Sequence, residues 1–252
     1  MTLLTAELRK VTTLKFWWLL ALPPIVVGIF ASAISSAISE SVSDLDIEGG
    51  FAIFGLYAAL GVAMVFAAVF AAVNGGTEFR HDTITTSFLT SRGRDRVILT
   101  KILVTALFAL GYGLAVEIGS IVCLLLFSPT TFTLTAHVIG VVVAGLFAVV
   151  AWAVIGIGLG LLFGSPTWSA IVVVAWFPMG ETMLVSILAG LGIPNGSVLT
   201  PAASSLATVT VGDTDDAPFL MSWPWAPVVL ALWAIGLAAA GWWRTRQRDI
   251  VQ

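Results

Sequence analysis

Charge is what this sequence has least of. Only 10% of its 252 residues are Asp, Glu, Lys or Arg, against about 25% in a soluble domain. With 59% hydrophobic residues and a mean hydropathy of +1.05, that shortage excludes an ordinary soluble chain. Positive charge is scarcer still, since the stretches 16–79 and 102–243 hold no Lys or Arg. A net charge of −3 leaves no electrostatic footprint for nucleic acid. The single cysteine, Cys123, excludes an intramolecular disulfide. Two histidines and no His/Cys/Asp cluster at ligand spacing give no expected metal site. No nucleophile–base set can be argued, so no residue is assigned to catalysis. The G-x-x-x-x-G-K-[ST] phosphate loop is missing as well, because Lys101 lacks the preceding glycines.

What is present is a series of membrane-length apolar runs. Residues 2–15 read as a short interfacial amphipathic helix. Leu4, Leu8 and Val11 share one face, Arg9 and Lys10 lie away from it, and Glu7 borders it. Six spans are predicted at about 16–39, 51–74, 96–127, 136–163, 167–191 and 226–243. The first contains Pro23-Pro24, which predicts a kink. It is longer than a usual leader's apolar region, and its two prolines also argue against a cleaved leader. Gly75-Gly76 is placed at the end of the second span. The third opens at Asp95 as N-cap, and about 30 residues at 1.5 Å each give roughly 45 Å. That exceeds the ~30 Å hydrocarbon core, so this helix is expected to project from the membrane. Gly156, Gly160 and Gly164 form a doubled small-xxx-small pattern for close helix contact. The stretch 192–225 reads as a long, mildly polar extracellular loop.

Charge placement predicts topology. With the N-terminus inside, the inner segments hold all eleven basic residues and the outer loops hold none. The positive-inside rule then puts both termini in the cytoplasm. The fold class is all-α integral membrane, with residues 1–252 as one transmembrane domain. Ten tryptophans fit interface anchoring. Trp17, Trp18, Trp242 and Trp243 fall at the inner interface, and Trp223 and Trp225 at the outer one. Trp152, Trp176 and Trp233 lie deeper, as packing or as cavity lining.

Between spans 2 and 3 lies a polar island. Its coupling region, 76–95, and the helix start beyond it carry Arg80, Arg92, Arg94, Arg96 and Lys101. Thr77 is expected to cap a new short helix, 78–89. On it Phe79, Ile84 and Phe88 face lipid or protein, while Glu78, Arg80, His81 and Asp82 face water. Gly93 permits a turn into span 3. The plain reading is a solvated positive-inside loop; the functional reading is a docking surface for a partner protein.

The island resembles the cytoplasmic coupling region of type-2 ATP-binding-cassette (ABC) exporter permeases. That family shows Glu, an aromatic, Arg, two variable residues and Thr, then a basic turn and a Lys opening the next helix. Glu78, Phe79, Arg80 and Thr83 match, and Arg92, Arg94 and Lys101 fall at the turn and helix start. Ser91 stands where Pro is common. Glu7-Leu8-Arg9-Lys10, Leu199-Thr-Pro-Ala-Ala and Arg246-Gln-Arg-Asp resemble other parts of the family more loosely. The resemblance implies a complex of two permease copies and two ATPase subunits. ATP and Mg belong to the partner, and this chain holds no cofactor. It implies export of amphipathic or hydrophobic compounds: a drug, an antimicrobial peptide or a lipid. Glu78, Phe79, Arg80, Thr83, Arg92, Arg94 and Lys101 become the expected coupling residues.

Two carboxylates fall within spans. Glu117 and Glu181, with Trp176, are the candidate substrate-path residues, because a carboxylate near the bilayer centre costs on the order of 3 kcal/mol. The plain reading of each Glu is a structural hydrogen bond to another helix. Two other functions stay open. One is a secondary transporter coupled to ions through Glu117 or Glu181, although no internal repeat is visible. The other is a non-transporting membrane scaffold or immunity protein.

Overall fold

The apolar runs fold as helices, because within hydrocarbon a helix satisfies its backbone N–H and C=O groups inside one segment. The computed structural model describes residues 3–41, 51–81, 83–84, 88, 93–128, 132–211 and 220–247. In chain order these form α1 (Leu3–Thr13), α2 (Phe16–Ser41), α3 (Ile53–Arg80), α4 (Arg94–Phe127) and α5 (Ala136–Phe163). There follow α6 (Pro166–Ala175), a π-helical turn (Trp176–Gly180) and α7 (Glu181–Gly190). A 3-10 turn (Pro194–Leu199), α8 (Pro201–Val209) and α9 (Trp225–Gln247) complete the described chain. Helices α2, α3, α4, α5 and α9 are long and apolar enough to cross a membrane. They mark the chain as a multi-pass membrane protein.

Three expectations are corrected. Gly75-Gly76 does not end the second span, since α3 continues unbroken to Arg80. Both glycines are used for close approach instead. A Cβ on Gly75 would meet Ile157 O at 3.0 Å, and one on Gly76 would meet Pro166 N at 2.5 Å. Thr77 is therefore no cap; it sits inside the helix and donates to Val73 O at 2.5 Å. The run 167–191 is not one α-helix either. Pro178 has no N–H for the α-helical ladder, and the wider π turn takes it in between α6 and α7. Finally, 192–225 is not all loop, because it contains the 3-10 turn and α8, whose Pro201, Ser204, Ser205 and Thr208 are buried. The acidic stretch 42–50 and the acidic group at 213–216 lie outside the described residues.

Helix α3 sits at the centre, packed by α2, α4, α5 and α6. The α3–α5 crossing depends on missing side chains. A Cβ on Gly156 would run into Ala68 O, and one on Gly160 would stand 2.6 Å from Ala72 O. The third glycine of that pattern, Gly164, plays another part. It takes φ 65° as the left-handed cap of α5, and its N–H donates to Gly160 O. On its other side α5 meets α9, where a Cβ on Gly158 would lie 2.6 Å from the backbone of Leu237. Helix α2 runs through Pro23-Pro24 as one assigned helix.

Adding one methyl at the tightest crossing tests this packing. Gly156→Ala is expected to destabilise the protein by about 1–3 kcal/mol, the usual cost of overpacking. Gly236→Ala, where an added Cβ meets nothing within 4 Å, is expected to be neutral or slightly stabilising. Thermal unfolding in detergent, followed by the monodisperse fraction, checks both.

Candidate functional site

Four of the chain's few charged side chains gather at one place. Glu7 and Lys10 on α1, Glu78 near the end of α3, and Lys101 on α4 meet in one ion cluster. Lys10 Nζ lies 2.6 Å from Glu7 Oε1 and 2.9 Å from Glu78 Oε1. Lys101 Nζ lies 3.0 Å from Glu78 Oε1 and 3.4 Å from Glu7 Oε2. Glu7, Glu78 and Lys101 are buried, while Lys10 is nearly half exposed. Two carboxylates against two ammonium groups leave the cluster neutral, which is what allows burial of three of its members. Burial alone would lower the pKa of Lys10. Its hydrogen bonds to Glu7 and Glu78, and their charge, outweigh that and hold it above its ordinary value.

The cluster lies well away from where α2 begins. Tyr112 on α4 donates its hydroxyl to Trp17 O, so α2 starts level with Tyr112. Lys101 is eleven residues earlier on α4, or about 17 Å along the helix. The 34 residues of α4 make it about 51 Å long. It is therefore longer than a ~30 Å hydrocarbon core, and Lys101 lies seven residues from its N-terminal end, or about 10 Å. One turn further along, Asn74 Nδ2 donates to Thr105 Oγ1 at 2.8 Å, a buried neutral bond between the same two helices.

The residues expected to form a docking surface divide. Glu78 does not face water; it is buried and faces α1 and α4, while Lys101, also buried, faces α1 and α3. Arg80 and Thr83 are exposed, and Phe79 packs partly against the core. Arg94 donates to Arg246 O at 3.2 Å, and its guanidinium lies 5.7 Å from the Phe88 ring. Trp242 Nε1 donates to Asp95 Oδ1 at 3.0 Å, which joins α9 to the start of α4. Asp95 is inside α4 by one residue, and Gly93 precedes that helix. Arg92 and most of the expected 78–89 helix beyond His81 lie outside the described residues.

The span carboxylates have different surroundings. Glu181 is committed to structure. Its carboxylate accepts from Thr200 Oγ1, from Ala202 N at 2.9 Å and from Ala203 N at 3.0 Å. It thus caps the N-terminus of α8, where the helix dipole favours negative charge. Glu117 is buried, and neither carboxyl oxygen has a hydrogen-bond partner among the described residues. A Cβ on Gly145 would come within 2.8 Å of Glu117 Oε1 and 2.7 Å of Leu60, so this glycine makes its seat between α3 and α5. Trp176 opens the π turn and lines a cavity with Trp152 and Trp233. Among the described residues no three His, Cys, Asp or Glu gather as metal ligands.

Sequence reasoning does not single out Glu7 and Lys10 as site residues. One signal for them exists in the sequence: a carboxylate bordering the apolar stripe of α1 needs a cation where that stripe is buried. Lys101→Met is expected to leave the two carboxylates short of one charge, costing on the order of 3 kcal/mol. Adding Glu7→Gln restores balance around the remaining Lys10–Glu78 pair. The double variant is therefore expected to be more stable than Lys101→Met alone, in a thermal-unfolding cycle of the four proteins.

No protein-family model matches this chain, and no curated protein matches it.

Proposed function

We propose that this chain is the membrane subunit of an ATP-driven exporter, a type-2 ABC permease. It has six spans, the fifth in chain order being the helical run 166–190 with its π turn, and both termini lie in the cytoplasm of a cell-membrane protein. The observation that carries the reading is the ion cluster. Helices α3 and α4 flank the charged 81–93 segment, and four charges tie them to each other and to α1. A push on that segment reaches three helices at once. The missing phosphate loop makes a separate ATPase necessary, and basic residues gathered near 80–101 and 244–248 favour the cytoplasmic side.

In this reading Arg80 and Thr83 meet the ATPase, together with Arg92. Phe79 and Arg94 brace the segment, and Glu78 and Lys101 carry its movement inward. Two copies of the chain act with two ATPase subunits, which bind ATP and Mg. Cargo is amphipathic or hydrophobic: a drug, an antimicrobial peptide or a lipid. The rival is a secondary transporter with ion coupling, and Glu117 is the observation in its favour, since its buried carboxyl lacks a partner among the described residues.

Co-expression with an ABC ATPase encoded beside this chain, followed by affinity purification, tests the proposal. The expected outcome is a stable complex whose ATPase activity responds to amphipathic compounds. Arg80→Glu is expected to weaken that complex at least tenfold without unfolding the permease. Transport by the chain in vesicles free of any ATPase would overturn the exporter reading in favour of the secondary transporter.

A further inference from the structure

Four carboxyl side chains are buried among the described residues, and three of them have an evident counterpart. Glu7 and Glu78 face the ammonium groups of Lys10 and Lys101. Glu181 accepts from the amides of Ala202 and Ala203. Glu117 on α4 is different. It is only 2% exposed, and neither of its oxygens has a hydrogen-bond partner among the described residues. Ser120 is the one hydroxyl within a turn of it on α4, and Ser120 Oγ is unpartnered as well.

No cation stands near enough to take that role. Helix α2, which meets α4 where Gly28 lies beside Ser120, has no charged residue from Phe16 to Ser39. On α3 the titratable groups are Tyr57, Glu78 and Arg80. Glu78 is eighteen residues from Leu60, or about 27 Å along the helix. On α5 the only one is His137, eight residues or about 12 Å from Gly145. On α4 itself Tyr112 donates to Trp17 O and Cys123 to Ile29 O. The basic residue of α4 closest in sequence, Lys101, is sixteen residues back, or about 24 Å. Leu60 and the bare backbone of Gly145 close the seat. A Cβ on Gly145 would stand 2.7 Å from Leu60 and 2.8 Å from Glu117 Oε1.

An ionised carboxylate in such a seat has neither water, donor nor counter-charge, and a group so placed neutralises instead. A bound metal ion would need several oxygen ligands, and no three His, Cys, Asp or Glu gather among the described residues. A proton needs one carboxyl. We infer that the seat between Leu60 and Gly145 is a proton-binding site, with Glu117 holding the proton as a neutral carboxylic acid. The bound proton is what lets α4 pack this carboxyl against α3 and α5. Its release would leave an unpaired charge among three helices, so proton occupancy and helix packing are linked at this point. The site needs neither nucleotide nor a partner subunit, and it therefore stands whether the chain is an exporter subunit or a secondary transporter.

Infrared spectroscopy reads the proton directly, because a protonated carboxyl absorbs apart from ionised carboxylates and amides. The full chain is measured at neutral pH in dodecyl maltoside, a detergent without a carbonyl group of its own. Exposed carboxyls are ionised there. One protonated-carboxyl band is expected, and it is expected to shift in heavy water as the proton exchanges. Glu117→Gln is expected to reduce that band at least fivefold. Glu117→Asp, which keeps a carboxyl, is expected to move it, and Glu181→Gln to leave it unchanged. Absence of the band from the unaltered chain, or its survival in Glu117→Gln, would overturn the site. A band that never shifts in heavy water would overturn it as a site that binds and releases a proton.

Discussion

Everything at the charged end of this molecule depends on keeping four ions neutral in a small volume. A buried charge that loses its partner costs far more than the pair contributes, so Glu7, Lys10, Glu78 and Lys101 hold or fail together. That constraint decides where α1 lies. The apolar stripe of α1 is only three turns long, and by itself it would let the helix rest anywhere on an interface. Glu7 removes that freedom, since a carboxylate on the buried side must find Lys10 and Lys101. The same constraint keeps α3 helical to Arg80, because Glu78 must stay on the face of α3 turned to Lys101 on α4.

The membrane-embedded part is held by different means. Lipid gives apolar side chains no reason to leave it, so helices associate through close packing. Here α3, α5 and α9 approach across Gly75, Gly156, Gly158, Gly160 and Gly241. The glycines act in pairs or rows, with backbone facing backbone. Rigid packing at the centre and an ion cluster near the adjoining ends of α3 and α4 make a lever, in the proposed exporter, between the segment that joins them and the bilayer. The interior of the α6–α7 run is looser, with a π turn and a cavity beside it.

The long helices were legible in the sequence because their signal is composition over twenty or more residues. The Gly156–Gly160 contact was legible for the same reason: a small residue every fourth position has few other uses in an apolar helix. What was not legible turned on three-dimensional partners. Gly75-Gly76 reads as a helix end until α5 and Pro166 are seen against it. Glu78 reads as solvated until Lys10, far away in sequence, reaches it. Glu181 reads equally as a path carboxylate or as a structural hydrogen-bond acceptor until the amides of Ala202 and Ala203 supply the second role, and α8 itself is too short and too rich in Ser and Thr to announce a helix. The placement of Trp152, Trp176 and Trp233 around one cavity lay between two readings, and the structure takes the cavity.

The central claim is that the ion cluster makes α1, α3 and α4 one rigid unit. Spin labels on Thr12→Cys of α1 and Arg96→Cys of α4, with Cys123→Ser as background, measure it directly by pulsed dipolar spectroscopy. Both labelled positions are exposed on their helices. The account predicts one narrow distance distribution in the otherwise unaltered chain and a broad one in Lys101→Met. An equally narrow distribution in Lys101→Met would contradict it.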